Sequence, residues 1–151
     1  MMVRFLDPPD VPRHRDTVPA AALHRGMPAS SAISGTDPES GACPADRAMQ
    51  VALAFGNLRR LLASAGATSQ DVVKVDLRFR DKADRRLANP RWPELHPDEG
   101  ARPARHSRVA DLPDGCCLQM SLLAVVQGAE AGSAHPGAAR GEPGGSPEPG
   151  T

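Results

Sequence analysis

The side chains with intrinsic reactivity are few, and their spacing excludes more than it allows. Three cysteines, Cys43, Cys116 and Cys117, are an odd number. The adjacent pair has no zinc-ligand spacing and would not form an ordinary bridge. They read as reduced thiols of a cytoplasmic protein that binds no metal. The five histidines, His14, His24, His96, His106 and His135, show neither an HExxH pattern nor any paired spacing, and most read as surface residues. There is no GxGxxG turn, P-loop or GxSxG elbow, and glycine-rich spacing occurs only near the carboxyl end, where no strand precedes it. Whatever chemistry the chain performs must come from ordinary polar and charged residues placed by the fold.

Composition limits that fold. The 151 residues suit one domain, and the formal net charge is +0, which gives no electrostatic footprint for nucleic acid or an anionic membrane. No stretch approaches the ~20 apolar residues of a membrane span, and the amino terminus lacks the apolar core of a secretory signal. With three Phe, one Trp and no Tyr, the core must be built from Val, Leu, Ala and Met. A core so thin gains from burying a face against another subunit. The same scarcity of aromatics argues against single-stranded nucleic-acid binding.

Residues 1–16, with Pro8, Pro9 and Pro12, read as an irregular segment. Residues 127–151, with seven Gly and four Pro, read as a disordered tail, because such a segment buries too little apolar area to offset its ordering entropy. The foldable domain is therefore residues 17–126. Its clearest element is a helix from about Pro44 to Ala65, with Ala48, Val51, Ala52, Phe55, Leu58, Leu62 and Ala65 on one stripe and Gly66 just beyond its end. Val73 to Arg80 alternates apolar and charged residues, the pattern of a half-buried strand. Cys117 to Val126 is a second strand, with Leu118, Met120 and Leu122 pointing one way. Shorter strands are expected within Ala29–Gly35 and Arg105–Ala110. Ala83–Leu95 has helical spacing that Pro90 and Pro93 interrupt. Together these predict an α+β domain with helices packed on one face of a sheet.

These pieces arrive in a familiar order. Ile33-Ser34-Gly35, the helix residues Gln50, Phe55, Asn57 and Leu58, Ala65-Gly66-Ala67 leading into Asp71-Val72-Val73-Lys74-Val75, Asp81, Asp84 and Asn89, Pro103-Ala104-Arg105, Leu112-Pro113 and the closing strand resemble the RidA (YjgF) family over roughly residues 33–126. The resemblance implies a mixed β-sheet with two helices on one face, similar also to the chorismate mutase architecture, assembled as a homotrimer with active sites in clefts between subunits. It implies, without any cofactor, hydrolysis of 2-iminobutanoate or 2-iminopropanoate, tautomers of reactive enamines, to the 2-keto acid and ammonia. None of the chorismate mutase residue pattern is present.

Imine hydrolysis of such an acid needs a grip on its carboxylate and a placed water. Arginine suits the first because its planar guanidinium can pair both carboxylate oxygens and stays charged, so the resemblance gives Arg105 that role. It places Gly35, Asn89 and Ser107 around the same substrate, with His106 at the cleft's edge. Gln119 falls where active members carry a glutamate that positions the attacking water. Glutamine can accept a hydrogen bond from that water but cannot take its proton, and loss of a general base costs ~10²–10⁴-fold. Imines hydrolyse readily in water, so positioning alone retains useful activity. Ser107 replaces a frequent cysteine, an amino-terminal tyrosine has no counterpart, and the turn after Gly35 is shortened. Three readings follow: a divergent deaminase, a binding protein that holds a small carboxylate without turnover, and a structural or partner-binding paralogue.

Overall fold

The computed structural model describes residues 3–14 and 17–126; the tail expected at residues 127–151 lies outside them. Seven strands, β1 (Arg4–Leu6), β2 (Ala21–His24), β3 (Met27–Ser30), β4 (Ile33–Ser34), β5 (Val72–Phe79), β6 (Ala104–Val109) and β7 (Leu118–Ala124), form one sheet. Its order is β1-β2-β3-β7-β5-β6, with β4 also on β7, and only the β5–β6 pairing is parallel. Three helices, α1 (Arg47–Ser64), α2 (Arg85–Ala88) and α3 (Arg91–Leu95), supply the second layer. The last two fall in the one interrupted helical region expected from the sequence, so the domain has the predicted α+β form: a mixed sheet with two helical units on one face.

Helix α1 begins later than its apolar spacing suggests. Asp46 caps it, accepting the Met49 N–H at 3.1 Å, so the preceding Pro44 and Ala45 stay outside. It ends in a Schellman turn, with Gly66 donating to Ala63 and Ala67 to Leu62. Gly66 stands at φ 71, where a side chain would be strained. The buried stripe is also rotated from the expected one. Ala48 is exposed, while Gln50, Val51, Ala54, Phe55, Asn57, Leu58, Leu61 and Leu62 face inward. The apolar ones share one core with Val75, Leu77 and Phe79 of β5 and Leu118, Met120 and Leu122 of β7.

Three further elements depart from the pattern. Alternation in β5 fails at its start: Val73 is 49% exposed and Val72 is buried, because a bulge shifts the register between Val72 and Lys74. The stretch 29–35 is two strands rather than one, since Ser31 turns its N–H to Ala20 and its hydroxyl to Pro19. The amino-terminal segment read as irregular contains β1, paired from Arg4↔Leu23 to Leu6↔Ala21, and its Val11 enters the core. The prolines that suggested irregularity begin only after Leu6.

Pro90 and Pro93 act as expected on the second helical region. α2 stops at Ala88 and α3 starts at Arg91, with Pro90 in its cap position. Pro93 sits in the first turn of α3, where a helical N–H has no partner to lose. This broken connection sets Asn89 and Trp92 against the helix-side surface of β6.

Candidate functional site

Arg105 is held from three sides. It is in register with the buried Val75 of β5 and points to the helix side of the sheet. Its Nε donates to Ser107 Oγ at 3.0 Å, and its Nη2 to Asn89 Oδ1 at 2.9 Å. Its Cζ lies 5.1 Å from the centroid of the Trp92 ring, a cation–π contact. Arg85 completes the surround, donating to the Ser107 carbonyl at 3.3 Å. Burial, then the neighbouring Arg85 charge, pushes the Arg105 pKa below its ordinary value, yet a guanidinium stays cationic near neutrality. The contacts use one N–H on Nε and one on Nη2. Among the described residues, no acceptor takes the remaining N–H groups of this five-donor fork.

Gln119 belongs to a different surface. It pairs with Ser34 of β4 on one side and Arg78 of β5 on the other, and Arg78 pairs in turn with Arg108. Ser34, Gln119, Arg78 and Arg108 thus make a row across the face opposite the helices. Gln119 also lines a cleft of about 760 Å³ together with Ser34, Thr36, Cys43 and Cys116. The Ser34 and Thr36 hydroxyls are 2.7 Å apart.

Arg105, Asn89 and Ser107 therefore converge, and Gln119 shares its surface with the segment around Gly35, but the two groups do not meet within one chain. They occupy opposite faces of the sheet, with β5 between their strands. Two strand spacings alone are roughly 10 Å. One small 2-imino acid cannot touch both. His106, expected near the cleft, turns to the face away from Arg105, where its Nδ1 lies 3.9 Å from Asp76 Oδ1. His96, expected at the surface, is only 5% exposed and packs edge-on to Trp92 at 4.6 Å. Burial lowers its pKa first, followed by the Arg102 charge.

The polar residues that build the second surface lie on α1. Gln50 and Asn57 are 3% and 0% exposed, one heptad apart on its buried stripe. Asn57 Nδ2 donates to the Ser34 carbonyl at 2.9 Å and the Thr36 carbonyl at 3.0 Å, on either side of Gly35. Arg60 donates to Asn57 Oδ1 and, at 3.0 Å, to the Asp10 carbonyl. Gln50 Nε2 donates to the Pro44 and Gly115 carbonyls, both at 2.7 Å, while its Oε1 accepts the Cys117 N–H at 2.9 Å. These two amides hold the start of β7, and hence Gln119, against β4. The sequence motif contained both residues, but their roles required knowing which carbonyls faced them.

Gln50→Leu keeps the bulk and removes three bonds, leaving two carbonyls and one N–H unpaired in a largely buried setting. Buried unsatisfied groups cost about 1–3 kcal/mol each. The expected loss in urea unfolding is ~3 kcal/mol, allowing for local relaxation. A change within ~0.5 kcal/mol, the range of neutral surface substitutions, would show that Gln50 is not a structural hub.

Solved structures share this architecture. The Rid-family protein YyfA of Yersinia pestis matches with TM-score 0.76 at 20% identity, over 83% of this chain and 100% of its own. RidA from an Antarctic Psychrobacter matches with TM-score 0.75 at 22% identity, over 82% and 99%. Escherichia coli TdcF, crystallised with bound serine, matches with TM-score 0.74 at 21% identity, over 81% and 98%. No curated protein sequence matches significantly. At such identities the likeness establishes the fold. The family model described as Endoribonuclease L-PSP matches residues 16–126, and the chain belongs to this family, which includes RidA and YjgF. Family membership supports a general role in handling imines and enamines.

Proposed function

We propose that this protein hydrolyses small 2-imino acids, with 2-iminobutanoate and 2-iminopropanoate as the reference substrates, in sites completed between subunits of a homotrimer. The observation that carries the reading is Arg105, fixed by Asn89, Ser107 and Trp92 with donors to spare. A pre-oriented guanidinium is suited to a carboxylate because both oxygens can be paired without reorganising the fork. The serine held by TdcF is a ligand of the same kind, a small 2-amino acid.

In this mechanism the substrate carboxylate lies on Arg105 of one chain and the imine carbon faces Gln119 of a neighbour. Gln119 accepts a hydrogen bond from water and orients it. Water adds to the C=N bond, giving a carbinolamine, and the C–N bond then breaks to release ammonia and the 2-keto acid. The Ser34 and Thr36 hydroxyls form the wall beside Gln119, while Gly35 between them is buried against Gln50 of α1. The family description names an endoribonuclease, but a net charge of +0 and a single Trp supply little for phosphates or stacked bases.

Gln119 also favours a second reading, in which the same pocket holds a small carboxylate without turnover. One assay separates the two. Threonine and a dehydratase generate 2-iminobutanoate in the cuvette, and semicarbazide traps what is not hydrolysed. Suppressed trapping by the wild type is the expected result. Gln119→Glu would supply the missing base and raise the rate by ~10²-fold or more. If the wild type has no effect and Gln119→Glu does, the pocket is competent but functions as a binding site. If neither alters trapping, the deaminase reading fails.

A further inference from the structure

The cleft beside Gln119 contains a thiol pair for which imine hydrolysis has no use. Cys43 lies in the loop that leads from β4 to α1, and Cys116 lies in the turn before β7. They are 73 residues apart in sequence, yet their Sγ atoms approach to 3.2 Å. A disulfide bond is about 2.05 Å long, so roughly an ångström of side-chain movement would join them. Both line the cleft. Cys43 is half-buried, whereas Cys116 is buried.

Cys117 is also buried, and its nearest hydrogen-bond acceptor is the Arg47 carbonyl at 4.0 Å. It provides an internal comparison: a third thiol one residue away, turned toward α1.

We infer that Cys43 and Cys116 form an oxidisable pair, a modification site that takes a peroxide from the cleft and closes to an intramolecular disulfide. This inference does not depend on the proposed hydrolase activity. Cys43, the more accessible thiol, reacts first. Its sulfur attacks the peroxide, the O–O bond breaks and an S–O bond forms, giving the sulfenic acid and one water. Cys116 then attacks that sulfur. The S–S bond forms, the S–O bond breaks, and the departing hydroxide leaves as a second water with the Cys116 proton. Two thiols lose two electrons, and one peroxide is reduced to two waters.

The order of attack fits the surroundings. Burial and a hydrogen bond with Cys43 push the Cys116 thiol up to about 12, so it remains protonated. A protonated, enclosed thiol is a poor first target for oxidant, but it is already beside the sulfur it must resolve. The product would tie the loop before α1 to the turn before β7. Those are the two segments flanking Ser34 and Gln119. It would also end the 3.4 Å contact between the Cys43 thiol and the Thr36 hydroxyl as a thiol hydrogen bond.

The test uses the full chain, fully reduced, then treated with a small excess of hydrogen peroxide without denaturant. Peptide mapping is expected to yield one cross-linked peptide joining Cys43 to Cys116 in a chain that remains free of intermolecular bridges. Cys117 should stay available to alkylation after unfolding. The thermal midpoint should rise by several degrees, since a cross-link closing so long a loop restricts the unfolded chain. Cys43→Ser and Cys116→Ser should each abolish the peptide and the shift, and two variants guard against one failing to fold. Sulfinic acid at Cys43 without a cross-link, a bridge to Cys117, or bridges only between chains would each overturn the inference.

Discussion

Gly35→Ala is expected to cost about 3 kcal/mol or more in unfolding free energy, and to do so before any question of substrate arises. A Cβ at this position would lie 2.1 Å from the Gln50 carbonyl oxygen, 2.7 Å from its carbon and 2.8 Å from its Cα. All three are backbone atoms in the first turn of α1, so no side-chain rotation can make room. The strand cannot retreat either, because Asn57 holds the carbonyls on both sides of Gly35. Inserting one methyl into a packed core commonly costs ~1–3 kcal/mol, and a clash with fixed backbone lies at the top of that range or above it. Urea unfolding followed by far-ultraviolet circular dichroism would measure the loss. A change below ~1 kcal/mol would mean that β4 and α1 separate easily. The family resemblance places Gly35 at the pocket, and the close approach of two backbones gives it a structural reason to be glycine.

The second large effect is on turnover. Arg105→Ala should leave the fold intact, because the residue is on an edge strand, two of its three contacts, Asn89 and Ser107, lie outside the core, and the third, Trp92, remains packed in the core without it. Removing one partner of a hydrogen-bonded charge pair costs about 2–5 kcal/mol, so kcat/KM for 2-iminobutanoate should fall by ~10²–10³-fold. Arg105→Lys should recover little of this. Lysine cannot reproduce the planar fork that bonds Ser107 and Asn89 and stacks on Trp92 while facing a carboxylate. The trapping assay measures both variants, with unchanged unfolding midpoints as the control. Full suppression of trapping by Arg105→Ala would remove the central residue of the proposed mechanism.

How much of this was legible in the sequence depended on whether the signal was local. Helix α1, β5 and β7 could be read because apolar periodicity, caps and alternation are properties of neighbouring residues. The bulge in β5 escaped because Val72 and Val73 are both apolar, and only pairing with β7 reveals which one faces the core. β1 escaped because three residues carry little pattern and their partner is β2, across the prolines. Arg105, Asn89 and Ser107 stand at positions that the family resemblance marks, and the structure brings them together. The separation of Gln119 from them is a matter of sheet face and strand order, which spacing along the chain does not encode. The same holds for Cys43 and Cys116, distant in sequence and nearly touching in space.

The placement of Arg105 and Gln119 on opposite sheet faces has a consequence for what the unit of activity is. If both act on one substrate, each chain carries two complementary halves and no complete site. Dilution below the concentration at which the subunits assemble would then silence every chain without unfolding any of them. Specific activity would depend on protein concentration, and a lesion in either half would be felt at a site shared with another copy. The active entity is then the seam between chains, and selection on it acts on pairs of surfaces.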